Sequence, residues 1–407
     1  MKPRTLGRVI RKALRTFPAV VVTGPRQSGK TTLLRTLYGK THAFVTLEDP
    51  DVRIRAKEDP LAFLARHKPP VIIDEIQYVP ELLSYIKTRI DEHRKPGQWL
   101  FTGSQHFGLM QGISQSLAGR AAVLTLLPFS LAERIGRGET ALTTAEWVRA
   151  LPASPAADVK LSLSEVLLRG NYPEIASRRA VDRQLWCSSY ISTFLERDVR
   201  NLAHVGDLSQ FERFLRLCAV RTGQLLNLSD LARDIGVSVP TAKRWLSVLE
   251  AGYQVFLLYP YYQSLGKRLV KSPKMFFNDT ALASYLLGIH DKETLFNSPS
   301  FGNLFETMIV IDVLKRFFHS GEMPSLYYLR TRDGLEVDLV LELGQKLHLF
   351  EIKGAMTLWP KHAESLGRIM NGLKSSILTA GIISRAQGGF LVKKGIYHHN
   401  WKDTLGI

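Results

Sequence analysis

The chain has 407 residues, more than one hydrophobic core usually serves, so roughly two to four domains are expected. Hydrophobic residues make up 45% and Lys plus Arg number 54 against 37 for Asp plus Glu, a net charge of +17 that favours a polyanionic partner, nucleic acid before an anionic membrane surface, over a basic surface that only aids solubility. Two cysteines, Cys187 and Cys218, exclude a disulfide framework or an all-cysteine zinc site and fit a reducing cytoplasm, and no apolar run approaches the ~20 residues of a membrane span.

The N-terminal stretch is basic (Lys2, Arg4, Arg8, Arg11, Lys12, Arg15) and imitates a targeting peptide, but the apolar run behind it, Ala19–Val22, is too short for a signal sequence. It is expected to be a helix of the first domain, residues 1–135, in which Ala19–Val22, Ala43–Leu47, Val71–Asp74, Trp99–Thr102 and Ala122–Leu126 alternate with helical segments. That alternation predicts an α/β fold with a mostly parallel sheet.

Gly24, Pro25, Arg26, Gln27, Ser28, Gly29, Lys30 and Thr31, followed by Thr32, satisfy the GxxxxGK[ST] phosphate loop between an apolar strand and a helix-forming run. The glycines let backbone N–H groups curl around phosphates at a helix N-terminus. Lys30 is expected on the β and γ phosphates and Thr31 on magnesium, with ATP and Mg2+ as cofactors. The strand VIIDEIQ then ends in Asp74, placed for magnesium, and Glu75, placed to polarise an attacking water. A third strand, WLFTGSQ, ends at Ser104, read either as a contact to the γ phosphate or water, or as an ordinary strand end.

Residues 136–205 are expected to be a linker and helical lid, 206–285 a winged helix and 295–407 a last α+β unit. In ARDIGVSVPTAKRWLSVLEAG, Gly236 marks the turn, Ser238 caps the second helix and Pro240 suits its first turn. Ala242, Trp245, Leu246 and Leu249 form the buried stripe, leaving Lys243 and Arg244 outward for phosphate contacts. A basic loop holding Lys267, Arg268, Lys271 and Lys274 is read as the tip of the wing, of which Lys267, Arg268 and Lys271 are the DNA-contact candidates.

Farther on, period-two patterning puts Glu351 and Lys353 on one face of KLHLFEIK. Asp338 lies on the strand before, and Glu306 on a helix upstream. Glu on a helix, Asp on a strand and Glu-x-Lys on the next resembles the restriction-endonuclease-like nuclease fold. The resemblance implies metal binding by Asp338 and Glu351, assisted by Glu306, with Lys353 at the water or phosphate.

The phosphate loop, IIDEIQ and FTGSQ resemble AAA-type ATPases. With SLAGR at 116–120, GNYPE at 170–174, YISTFLERDV at 190–199 and KMFFNDTAL at 274–282, the chain more closely resembles prokaryotic AAA ATPases carrying a C-terminal domain once catalogued as of unknown function. The resemblance implies a homo-oligomeric ring, of six subunits by analogy, with Arg120 as an arginine finger delivered to a neighbour. It leads to two expectations. One is an ATP-hydrolysing enzyme remodelling or translocating on DNA, branched DNA included, with a metal-dependent nuclease site. The other is an ATP-switched regulator that binds DNA or protein and carries an inactive nuclease fold.

Overall fold

The computed structural model describes residues 2–104, 116–151, 159–200, 207–261, 271–331, 333–372 and 377–406. Five strands open the fold: β1 (Ala19–Thr23), β2 (Ala43–Thr46), β3 (Val71–Asp74), β4 (Trp99–Gly103) and β5 (Ala121–Thr125). They pair in parallel in the order β2-β3-β4-β1-β5. Strand β1 is buried throughout because alternate residues serve two cores. Val20 and Val22 pack with Leu6, Ile10, Leu33 and Leu100 on one face, while Ala19 and Val21 pack with Ile73, Leu83 and Phe101 on the other. The basic N-terminal stretch does form a helix, Leu6–Ala13, held by Leu6 and Ile10 against that first face.

Helices follow the sheet. Leu131–Arg134 and Thr144–Ala150 each begin with a reciprocal capping box, Ser130 with Glu133 and Thr143 with Glu146. Farther along, helices Leu228–Ile235 and Val239–Ala251 are joined through Gly236, whose φ of 77° is left-handed backbone that a side chain would strain. Ala242, Trp245, Leu246 and Leu249 are buried as the spacing predicts, and the Trp245 ring packs on Phe211 and Phe214. A small antiparallel sheet, β6 (Gln224–Leu225), β7 (Val255–Leu258) and β8 (Lys274–Phe277), lies beside them in the order β6-β8-β7.

The C-terminal sheet contains β9 (Leu326–Arg330), β10 (Glu336–Leu343), β11 (Lys346–Lys353), β12 (Ile377–Ser384), β13 (Phe390–Lys393) and β14 (Ile396–Asn400), ordered β13-β14-β12-β11-β10-β9. β10 and β11 turn through Gly344 and Gln345, both with positive φ, the two-residue hairpin geometry that matches strand twist. Helix Glu364–Gly372 crosses to the parallel strand β12.

One apolar core runs from Leu127 to Leu405 through the helical region, the helix-turn-helix and the C-terminal sheet. At its centre lies helix Phe301–His319, buried almost all round, as its near-continuous apolar sequence requires. Its polar residues satisfy backbone groups just beyond β5 and elsewhere: Asp312 Oδ1 accepts from Leu131 N at 2.6 Å, and Lys315 Nζ donates to Phe129 O at 3.1 Å. The same helix thus touches the exit of the parallel sheet near its C-terminus and carries Glu306 near its N-terminus.

Candidate nucleotide site and C-terminal carboxylate cluster

The carboxyl ends of β1 to β4 bring together the phosphate loop, Thr46, Asp74 with Glu75, and Ser104. That is the edge where open α/β sheets bind ligands. In the loop, Gln27 and Gly29 have φ of 60° and 91°, and Gly29 opens helix Lys30–Tyr38. Gly24 admits no side chain, because a Cβ there would stand 2.1 Å from Leu126 O. Lys30 is buried and its ammonium donates to Gly24 O and Pro25 O at 3.0 and 2.9 Å. Arg26 is half-buried, Gln27 and Thr32 are exposed, and the buried Ser28 hydroxyl has no hydrogen-bond partner among the described residues. A helix N-terminus, a left-handed twist in the loop and an orphaned buried hydroxyl fit a triphosphate anion.

Asp74 is the hub beside the loop. Thr31 Oγ1 and Thr102 Oγ1 donate to its Oδ1 at 2.6 and 2.7 Å, and Thr46 Oγ1 to its Oδ2 at 3.3 Å. Thr31 and Asp74 therefore offer adjacent hard oxygens, the donor set that suits magnesium. Glu75 has left-handed backbone, φ 55°, and its N–H donates to Thr102 Oγ1 at 2.9 Å. Its Oε2 accepts from Ser104 Oγ at 3.1 Å and from Gln77 Nε2. The carboxylate is thereby aimed and remains an acceptor.

Several supporting residues carry no motif signature. Arg4 is buried under the loop: its guanidinium donates to Ser28 O at 2.7 Å and Leu127 O at 2.6 Å, and pairs with Glu133 at 3.1 Å. Burial alone would raise the Glu133 carboxyl, but Arg4 and His319 hold it well below the ordinary carboxylate range. A Cβ on Gly29 would lie 3.6 Å from Arg4 Nη1 and 3.8 Å from Pro173, so the GNYPE segment borders the loop. Tyr253, in the turn after helix Val239–Ala251, donates its hydroxyl to Thr23 Oγ1 at 3.2 Å, one residue before Gly24. The hydroxyl of Thr102 could have been suspected from the strand end; Arg4 and Tyr253 could not, because only folding brings them near.

Arg120 lies elsewhere. It precedes β5, whose first residue pairs with the first of β1, so it sits about 15 Å of strand from the loop in its own chain. There its guanidinium holds Asp91 in a two-point pair at 2.6 and 2.9 Å. Lys243 and Arg244 are exposed on the second helix of the helix-turn-helix, and Lys271 is exposed ahead of β8. Lys267 and Arg268 lie outside the described residues.

In the C-terminal sheet Glu306, Asp338, Glu351 and Lys353 do converge. Lys353 Nζ stands 2.6 Å from Glu351 Oε1 and 3.7 Å from Asp338 Oδ2, and Asp338 Oδ2 accepts from Ile352 N at 2.8 Å. Two further residues join them. Glu336 opens β10. Lys274, expected in an exposed basic loop, is instead the buried first residue of β8. Its Nζ lies 2.9 Å from Glu306 Oε1, 2.5 Å from Glu336 Oε1 and 3.2 Å from Asp338 Oδ1. The pull of three carboxylates outweighs the propensity of a basic residue for solvent. Burial opposes the Lys274 charge, yet Glu306, Asp338 and Glu336 hold its pKa well above the ordinary lysine value. Burial first and the Asp338 charge second push the Glu306 and Glu351 carboxyls up from the ordinary carboxylate range. Among the described residues no group of three or more His, Cys, Asp or Glu is arranged to hold a metal ion.

A five-stranded parallel sheet with a phosphate loop after β1, an acidic pair after β3 and an interposed polar strand end defines a P-loop ATPase of the AAA type. Residues 16–135 match the family described as AAA domain, residues 160–293 a domain of unknown function (DUF8612) and residues 301–391 another (DUF4143). The chain belongs to the family of AAA-type ATPases with a C-terminal DUF4143 domain that also holds the uncharacterized proteins Rv2008c of Mycobacterium tuberculosis and Mb2031c of Mycobacterium bovis. Each is 33% identical over 350 residues, 86% of this chain and 73% of its own. Similar solved structures include the Walker-type ATPase paby2304 of Pyrococcus abyssi, 15% identical over 70% of this chain and 99% of that one at a TM-score of 0.46. Another is RuvB of Thermotoga maritima, 17% identical over 62% and 88% at a TM-score of 0.30. Among the described residues no helix is long and apolar enough to cross a membrane.

Proposed function

We propose that this chain hydrolyses ATP with Mg2+ and couples hydrolysis to work on DNA, gripped through phosphates by a winged helix. The observation that carries the hydrolytic half is the Glu75 carboxylate, held by Ser104 and Gln77 next to the Thr31–Asp74 pair. In this reading the phosphate-loop amides and Lys30 bind the β and γ phosphates, with Lys30 exchanging its loop carbonyls for phosphate oxygens. Thr31 and Asp74 would hold Mg2+, whose charge offsets the negative charge developing on the phosphates. Glu75 accepts a proton from the attacking water, and Ser104 orients that carboxylate or the water. Arg120 is proposed to leave Asp91 and complete a neighbour's site in a ring.

The DNA half is supported by the net charge of +17, exposed Lys243, Arg244 and Lys271, and the Tyr253–Thr23 contact that ties the helix-turn-helix to the strand feeding the phosphate loop. ATP turnover measured with single-stranded, duplex, forked and four-way DNA tests the whole reading. Severalfold stimulation at low salt, lost in Glu75→Gln, is expected. A rate indifferent to every DNA across low salt sinks the coupling to DNA and leaves a nucleotide-switched regulator.

A further inference from the structure

A nuclease-like fold would hold a divalent cation at the carboxylates of β10 and β11, but a cation from a different sheet stands there already. Lys274 belongs to β8, which pairs with β6 and β7 and not with the C-terminal strands. An ammonium has three hydrogens to donate, and three carboxylate oxygens, from Glu306, Glu336 and Asp338, stand 2.5–3.2 Å from Nζ. Divalent metals bind oxygens at about 2.0–2.6 Å, so a metal drawn to the same oxygens would have to displace Nζ. Neither side of Asp338 is open: Oδ1 faces Lys274, while Oδ2 takes the Ile352 N–H and faces Lys353. The buried Glu351 Oε2, which has no hydrogen-bond partner among the described residues, marks acceptor capacity in the cluster that the two lysines leave unused.

The approach of β8 is itself anchored. Tyr261 N donates to Tyr328 O at 2.8 Å, extending the β7 chain alongside β9, and the Tyr328 hydroxyl donates to Ser272 O, two residues before Lys274. We propose that Lys274 is the resident cation of this cluster. It stands in place of a divalent metal and locks β8 onto the C-terminal sheet, so that this site neither binds metal nor cleaves DNA while β8 is docked.

Counting bound Mn2+ by electron paramagnetic resonance on the nucleotide-free full chain tests this without involving the ATPase reading. Wild type should show no Mn2+ site that Asp338→Asn removes. Lys274→Met, close in length but uncharged, should gain one, at least about tenfold tighter than any wild-type binding at this cluster and lost again in Lys274→Met with Asp338→Asn. Thermal unfolding should agree: Mn2+ should raise the melting temperature of Lys274→Met more than that of wild type, and adding Asp338→Asn should remove the difference. Removing one partner of a buried cluster is costly, so Lys274→Gln, which keeps an amide donor, carries the same comparison if the methionine variant does not fold. An Asp338-dependent Mn2+ site in wild type overturns the proposal, as does a folded Lys274 variant that gains none.

Discussion

Replacing Thr102 by valine removes one oxygen and changes almost nothing in shape, which makes it a sharp test of the nucleotide site. The hydroxyl is fully buried, donates to Asp74 Oδ1 at 2.7 Å and accepts the Glu75 N–H at 2.9 Å. Losing a hydrogen bond to a charged acceptor costs roughly 1.5–3 kcal/mol, and an unsatisfied buried N–H about 1–3 kcal/mol more. Partial relaxation brings the expected loss of stability to about 2–4 kcal/mol, readable by urea denaturation. The larger consequence is for Glu75, whose left-handed backbone is pinned through that N–H. A shift of about 1 Å in the carboxylate would lower kcat on the order of a hundredfold, with KM for ATP nearly unchanged. Thr102→Ser keeps the oxygen and should retain most of both. A valine variant that turns over ATP at the wild-type rate would refute the role of Thr102 in aiming Glu75, whatever its stability.

Other outcomes follow from the same geometry. Lys30→Ala should abolish nucleotide binding and hydrolysis, whereas Glu75→Gln should bind ATP and fail to turn it over, as equilibrium binding beside steady-state kinetics would show. Arg120→Ala should assemble normally but lose hydrolysis; a variant that assembles and hydrolyses normally removes Arg120 from the neighbour's site. Glu133→Gln should cost about 3–5 kcal/mol near pH 7, since it leaves buried Arg4 unpaired. Because Arg4 and His319 depress the folded Glu133 pKa, that stabilisation is complete above the unfolded value of about 4.3 and fades as pH falls below it. Denaturation midpoints of the two proteins should therefore converge in acid. Lys243→Ala and Arg244→Ala should each weaken binding to every DNA alike and flatten the salt dependence by about one charge, measured by fluorescence anisotropy.

The sequence alone was enough for whatever depends on neighbours along the chain. A phosphate loop is backbone geometry plus one lysine and one hydroxyl within eight residues, so Gly24–Thr31 is legible without a fold. Asp74 and Glu75 are readable for the same reason, at the end of an apolar strand, and period-two spacing alone puts Glu351 and Lys353 on one face. The buried stripe of Ala242, Trp245, Leu246 and Leu249 follows from helical spacing in the same way.

Tertiary structure decided the partners those residues meet. Arg4 reaches Glu133 and the phosphate loop across 129 and 24 positions of chain, distances over which no local pattern survives. Lys274 looks like one more exposed lysine in a basic loop, because composition reports a charge and not the field around it. Only the docking of β8 beside helix Phe301–His319 and β10 surrounds it with Glu306, Glu336 and Asp338. Desolvation then makes the ammonium and the carboxylates indispensable to one another. The phosphate loop declares itself in eight consecutive residues; the character of the C-terminal site rests on one lysine that folding brings in from another sheet.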